Sequence, residues 1–423
     1  MISVNKRIGA GAAIIALVLM ASACGSDSKS SPTTPAGSTT PATAASSSSP
    51  ATTTGSSSDS SAPGSTAASS STSTGGSTGS SSPAASGVTT AGISDAECAT
   101  NKAAGKITFL TSFDFSAAAS IIDVVVAKDK GYFDKMCLNV ELKPGFSTSN
   151  YPLVAAGQAQ FSSAGNYTEV LNFSKDGASF VALTDYGHAP IEALVVKDPT
   201  ITDLSALKGK TIGVKGDIPP SVVAMLAKAG LKRGTDYKEV QLDGYDPVAQ
   251  LKLSIDALPV YKSNEPRLLD AAGVKYGLFD PAKMGVPGSF GLIYASKDYA
   301  AKNPTVAADF TRAALRGMED AIADPAAAVA TAVAKIDAAG NQAFLTAEGE
   351  TFRWAQERKV IAASTPAGMP VGVIDPAGLT AEYNAYKEAG VWPKGAPDDY
   401  HAYDADLAKS LYDANGKVIW PAS

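Results

Sequence analysis

The stretch from Lys106 to Tyr167 constrains the fold most, because it holds a strand, a helix, a second strand and a polar loop in succession. Lys106 to Thr111 is a short β-rich apolar run, Ser112-Phe113-Asp114-Phe115-Ser116 is a loop, and Ile121, Ile122 and Val125 follow Ala118 at helical spacing. This is a βα unit. Cations and a glycine free to take positive φ close the helix at Asp129-Lys130-Gly131, and Leu138 to Lys143 reads as the next strand. In an open α/β sheet, the loop between a strand and its helix is where a ligand sits.

The same alternation continues. Asn150 to Ala156 suggests a short helix, Ala159 to Ser162 a strand, Tyr167 to Lys175 a helix and Phe180 to Thr184 a strand. Further strands are expected at Glu192–Lys197, Thr211–Val214, Tyr237–Leu242, Ile255–Tyr261, Tyr276–Asp280 and Ser289–Ala295, with helices from Ser221 to Ala229 and Pro247 to Leu253. Beyond them the chain turns helical. Val306, Phe310, Ala313, Ala314, Gly317 and Ala321 keep a helical period, Pro325 opens an Ala-rich helix, and Thr351–Val360 and Leu379–Ala389 extend the tail. Trp354, Trp392 and Trp420 are expected as core or closing contacts. Gly209-Lys210-Thr211 imitates the end of a P-loop, but Leu204 stands where its first glycine belongs and a strand follows, so a nucleotide site is excluded.

Gly131-Tyr132-Phe133 after a helix, then Leu153-Val154-Ala155-Ala156-Gly157 and Gln160-Phe161-Ser162-Ser163-Ala164-Gly165, resembles the first lobe of ABC-transporter solute-binding proteins. Within that group the chain is most similar to the family of nitrate, taurine, alkanesulfonate and thiamine-pyrimidine binders, the SsuA/THI5/NMT1-like proteins. The run Leu207 to Val214 fits the same family. The resemblance implies an α/β, two-lobed periplasmic-binding-protein-like fold of type II, each lobe a sheet flanked by helices, with a two-strand hinge. Lobe one would comprise 95–187 and 292–423, the C-terminal helices packing on it, and lobe two 188–291.

The chain's start stands apart from this. Lys6 and Arg7 precede an apolar run from Ile8 to Met20, shorter than the roughly 20 residues a membrane-spanning helix needs, so residues 1–23 read as a secretion signal. Ala21-Ser22-Ala23-Cys24 resembles a bacterial lipoprotein processing site, which implies cleavage before Cys24, acylation of its sulfur and anchorage to the outer face of the cytoplasmic membrane. An ordinary secretory signal is the alternative. Residues 24–94 are almost only Ser, Thr, Ala, Gly and Pro, too poor in large apolar side chains to offset the entropy of ordering. As a flexible coil this tether reaches on the order of 45 Å. Its Ser/Thr/Pro density also suits O-glycosylation.

With Cys24 acylated, Cys98 and Cys137 remain as an even pair in an exported protein, where a disulfide is favoured over two free thiols. Neither spacing resembles a metal knuckle. No metal and no cofactor is expected.

Candidate ligand contacts cluster at strand ends. Lobe one offers Phe113, Asp114 and Ser116 before the first helix, Ser163 and Asn166 after the third strand, and Tyr186 near the crossover. Lobe two offers Asp217 in the turn before the Ser221 helix, whose prolines fix φ without losing a needed donor. It also offers Tyr261, Asn264 and Glu265, which the resemblance to pyrimidine binders places in the pocket; a surface loop with a helix cap is the alternative. Aromatics on both sides would sandwich a flat ring and carboxylates would read its polar edge.

The expected function is that of the extracytoplasmic solute-binding component of an ABC importer, with a small-molecule ligand and permease subunits as partners and the protein itself a monomer. The acidic candidates favour a heteroaromatic vitamin precursor, such as a thiamine pyrimidine, over a small anion such as an alkanesulfonate, taurine or nitrate. The net charge of −6 disfavours nucleic acid. The family also includes a thiamine-pyrimidine synthase, but this chain has only His188 and His401 and no cysteine cluster, so an enzyme is not expected. A non-transport receptor lipoprotein remains an alternative, since folds outlast functions.

Overall fold

Each of the two sheets is assembled from a block of chain whose strands cannot bury their apolar faces alone. The computed structural model describes residues 87–174, 179–340 and 344–421; the signal, Cys24 and nearly all of the expected tether lie outside the described residues. A hairpin of β1 (Val88–Thr89) and β2 (Gly92–Ile93) comes first, with Val88 buried. The expected unstructured segment therefore ends before residue 94. Val88 and Ile93 give this end of it the apolar side chains that the preceding residues lack.

Helix Asp95–Ala103 follows, capped by the Ser94 hydroxyl. Sequence periodicity missed it. A disulfide joins its Cys98 to Cys137.

The first sheet contains β3 (Lys106–Leu110), β4 (Asn139–Lys143), β5 (Phe161–Ala164) and β6 (Phe180–Ala182). The second contains β7 (Glu192–Val196), β8 (Thr211–Val214), β9 (Lys238–Gln241), β10 (Ala257–Tyr261) and β11 (Gly277–Phe279). The chain then returns, and β12 (Leu292–Ser296) inserts antiparallel between β5 and β6. The orders are β4-β3-β5-β12-β6 and β11-β7-β10-β8-β9, with β3, β4 and β5 mutually parallel, as are β8, β9 and β10. Nearly continuous apolar runs such as Ala193–Val196 and Leu292–Ala295 are buried throughout, as strands covered on both faces must be.

Two crossings link the sheets, and they pair with one another. Gly187 N–H donates to Phe290 O at 3.0 Å and Phe290 N–H to Gly187 O at 2.8 Å. A Cβ on Gly187 would lie 1.7 Å from the Phe290 ring, so the crossings approach this closely only because residue 187 has no side chain.

Helix Ile122–Asp129 is buried from Ile122 to Ala127 beneath helix Pro304–Ala323. It starts later than the Ala118 of the periodic pattern, because Ser120 takes φ +65° and keeps 118–121 a turn. Trp354 is fully buried and donates its indole N–H to Ala321 O at 3.0 Å; Trp392 and Trp420 close smaller contacts on Asn172 and Tyr132.

The C-terminal helices depart from the expected packing on lobe one alone. Helix Pro376–Glu388 places Leu379 and Tyr383 in a cluster with β12 residues, and Tyr386 in a cluster with β7 and β8 residues. It therefore straddles both sheets, which no residue spacing announces. Among the described residues no helix is long and apolar enough to cross a membrane.

Candidate functional site

The loops at the carboxyl ends of the parallel strands of the two sheets meet. From the first sheet come 111–121 after β3, 144–146 after β4 and 165–166 after β5; from the second come 215–219, 242–246 and 262–264. Parallel strands aim their carboxyl-end loops at ligands, and here two such sets face each other.

At the mouth, four aromatic side chains from three parts of the chain converge. Phe113 lies 6.4 Å from Phe146 and 6.4 Å from Tyr245, and stacks on Phe344 at 5.4 Å; Tyr245 and Phe344 are 5.1 Å apart. Phe113–Tyr245 is a direct contact between the two halves. Phe146 and Tyr245 are each 48% exposed. The Lys215 ammonium lies 5.9 Å from the Tyr245 ring centre and is held by Glu265 at 2.7 Å.

Asp114 is held within its own loop. It is buried in the left-handed region at φ +48°, and its carboxylate accepts the following N–H, of Phe115, at 2.8 Å. Strain of this kind persists where the surroundings dictate it. Ser116 in the same loop is fully buried and its hydroxyl has no partner among the described residues.

Deeper in, Asn166 Nδ2 donates to Glu192 Oε1 at 3.2 Å across the two halves, and Ser221 Oγ donates to Glu192 Oε2 at 3.0 Å. Glu169, in the first turn of helix Tyr167–Ser174, accepts from Ser147 Oγ and from Gly165 N–H. Burial pushes the pKa of both Glu169 and Glu192 up, and Glu192 raises that of Glu169 further. Lys262, the cation that acts on Glu192, is itself ion-paired to Asp280 at 2.9 Å. Tyr261 is 46% exposed, yet its hydroxyl pKa is raised, first by desolvation and then by Glu192, Glu169 and Glu265.

Several sequence candidates fall elsewhere. Tyr186 is fully buried and its hydroxyl donates to Asp123 Oδ2 at 2.5 Å, so it belongs to the core behind the hinge. Asp217 is 97% exposed beside Arg233 at 3.7 Å, outside the constellation. Glu265 is engaged by Lys215 and by the Tyr261 N–H at 2.9 Å, and Asn264 Oδ1 accepts from Arg353 at 3.4 Å. Helix Glu265–Ala271 starts there with Asn264 just before it, but the Asn264 side chain makes no capping hydrogen bond to that helix. Ser163 is buried within β5 with an unpartnered hydroxyl. Sequence reasoning missed Phe146, Tyr245, Phe344, Glu169 and Glu192. An aromatic placed just past a strand end was the available signal for Phe146 and Tyr245.

Several N–H and hydroxyl donors near the starts of these helices are engaged by carboxyl groups of the chain itself. Thr168 donates its N–H and hydroxyl to Glu382 Oε1 at 3.2 and 2.7 Å, Ser221 serves Glu192, and the turn before Ile122–Asp129 donates Ala117 N–H to Glu350 and Ala119 N–H to Glu357 at 2.5 and 2.7 Å. These are the donors a small anion would need. The two histidines are placed elsewhere: His188 is buried in the hinge 3.4 Å from Asp185, and His401 is exposed beside Asp399.

Comparison with known proteins agrees with this architecture. The family described as NMT1/THI5 like matches residues 118–328. The riboflavin-binding protein RibY of Chloroflexus aurantiacus is 27% identical over 213 residues, covering 47% of this chain; the match spans 58% of that relative's length. The periplasmic aliphatic sulphonate binding protein SsuA of Escherichia coli shares the fold at 14% identity and a TM-score of 0.52, over 71% of this chain and 92% of that one. A ligand-binding component of an ABC-type import system from Staphylococcus aureus superposes at 12% identity and a TM-score of 0.52, covering 72% and 98%.

Proposed function

Because the chain belongs to the NMT1/THI5-like family, we propose that it is the extracytoplasmic solute-binding component of an ABC importer, capturing a small heteroaromatic metabolite by cleft closure. The observation that carries this is the aromatic cluster drawn from both halves. A flat ring entering beside Phe113 and Tyr245 gains contacts from both lobes only when they are together, so its binding energy becomes a closed population that a permease can distinguish. Glu169 and Glu192 then face the ring's polar edge as hydrogen-bond acceptors. The likeness to a riboflavin binder supports a ligand of this class, with thiamine pyrimidines and other vitamin precursors as its members. Sulfonates, taurine and nitrate fit less well, since donors near these helix starts are already engaged by Glu350, Glu357, Glu382 and Glu192.

Calorimetry with flavins, thiamine precursors, purines, taurine and alkanesulfonates tests the reading. A heteroaromatic is expected to bind, and Tyr245→Ala and Tyr261→Ala are each expected to weaken it by roughly tenfold. Because both side chains are about half exposed, the thermal midpoint should hardly move. Unchanged affinity would remove that tyrosine from the pocket, and binding of sulfonates alone would reject the ligand class. The anchor is tested separately: Cys24→Ala is expected to move the protein from the membrane to the soluble fraction, and retention without acylation would refute lipid attachment at Cys24.

A further inference from the structure

Helix Ala347–Ser364 runs along the seam between the lobes from hinge to mouth. At one end the Ser364 hydroxyl accepts the His188 N–H at 3.0 Å; just before the other, Phe344 joins the aromatic cluster. Between them Glu350, Arg353 and Glu357 recur at helical spacing, all buried. Toward lobe one, Glu350 and Glu357 accept the Ala117 and Ala119 N–H groups of the loop after β3. Toward lobe two, Glu357 Oε1 accepts the Ser263 hydroxyl at 3.1 Å and Arg353 reaches Asn264 at 3.4 Å, both in the turn after β10. Arg353 Nε also donates to Glu350 Oε1 at 3.2 Å.

A carboxylate held by a backbone N–H of one lobe and a hydroxyl of the other makes the contacts that an anionic ligand would make on closing this cleft. The hydroxyl of Ser116, one residue before Ala117, is buried with no partner among the described residues.

We propose that Glu357, supported by Glu350, is a specificity-determining residue: a tethered carboxyl group that occupies the anion position between the lobes and so excludes sulfonates and related oxyanions from the cleft. The proposal rests on the cleft being a solute site, and it names what that site rejects and by which group. Arg353 does not restore anion affinity, because its guanidinium is already shared between Glu350 and Asn264.

The test compares the purified full chain with Glu357→Ala, Glu350→Ala and Glu357→Gln, by calorimetry and thermal shift. The probes are sodium methanesulfonate against sodium chloride at matched ionic strength, and the heteroaromatic panel. Glu357→Ala is expected to gain saturable methanesulfonate binding at least about tenfold tighter than wild type, the worth of a charge-assisted bond to the vacated donors. Glu350→Ala, which frees the Ala117 N–H, carries the same expectation should Glu357→Ala fail to fold. Glu357→Gln keeps the shape and still accepts the Ala119 N–H, so it is expected to gain nothing. Wild type binding methanesulfonate as tightly as the alanine variants overturns the proposal, as does a folded alanine variant without sulfonate affinity. The solute-binding reading is judged apart from this, by whether wild type binds any heteroaromatic.

Discussion

Gly317→Val is expected to destabilise the protein by about 3 kcal/mol or more and to abolish ligand binding with it. Helix Pro304–Ala323 crosses helix Ile122–Asp129 at this glycine, where a Cβ would lie 2.1 Å from Asp123 O and 2.9 Å from Ala127 N. Both obstacles are backbone, so no side chain can swing aside. Relief would require the helices to separate, which loosens the packing of Val125 and Leu315 and displaces the loop that carries Phe113. Gly317→Ala gives the sharper reading. Alanine inside a helix ordinarily stabilises relative to glycine by up to about 1 kcal/mol, so the sign of the effect decides. A lower urea midpoint is expected, and an unchanged or higher one would rule out the close crossing.

Lowering the pH from 8 to 5 is expected to raise stability, on the order of several kcal/mol. Burial pushes the carboxyls of Asp123, Glu357 and Glu382 up to about 7 each. Such a group keeps its proton in the folded protein over a range where the unfolded chain has lost it. Its contribution is complete below the unfolded value, near 4, and drains away as pH climbs through about 7. His188, raised by Asp185 despite burial, acts with the same sign. Exposed carboxylates such as Asp198, Asp236 and Asp413, held low by hydrogen bonds, act with the opposite sign, but only at more acid pH. Thermal midpoints across this range check the slope, and Asp123→Asn should flatten it. A midpoint that rises with pH would contradict the burial of these groups in the folded state.

Much of the architecture was legible along the chain. Both sheets lie where short apolar runs promised strands, because a strand's two-residue period and a buried run's continuity are local properties. The site was less legible. Asp217 and Glu265 looked like ligand readers because polar residues at strand ends often are, yet the fold gives one to solvent and the other to Lys215. Tyr186 was read as a cleft residue from its nearness to the crossover, but the hinge turns it inward onto Asp123.

The residues of the candidate site lie far apart in sequence. Phe113 meets Phe344, and Ala119 meets Glu357. By itself the sequence determined the alternation of strands and helices, the two sheets, the cysteine pairing and the family resemblance, since each rests on neighbouring residues or short spacings. Only the tertiary structure decided that the C-terminal helices join both lobes and that Glu350 and Glu357 accept the N–H groups of Ala117 and Ala119. Those outcomes depend on which surfaces meet once the sheets are formed, and no local pattern encodes a contact made across two hundred residues.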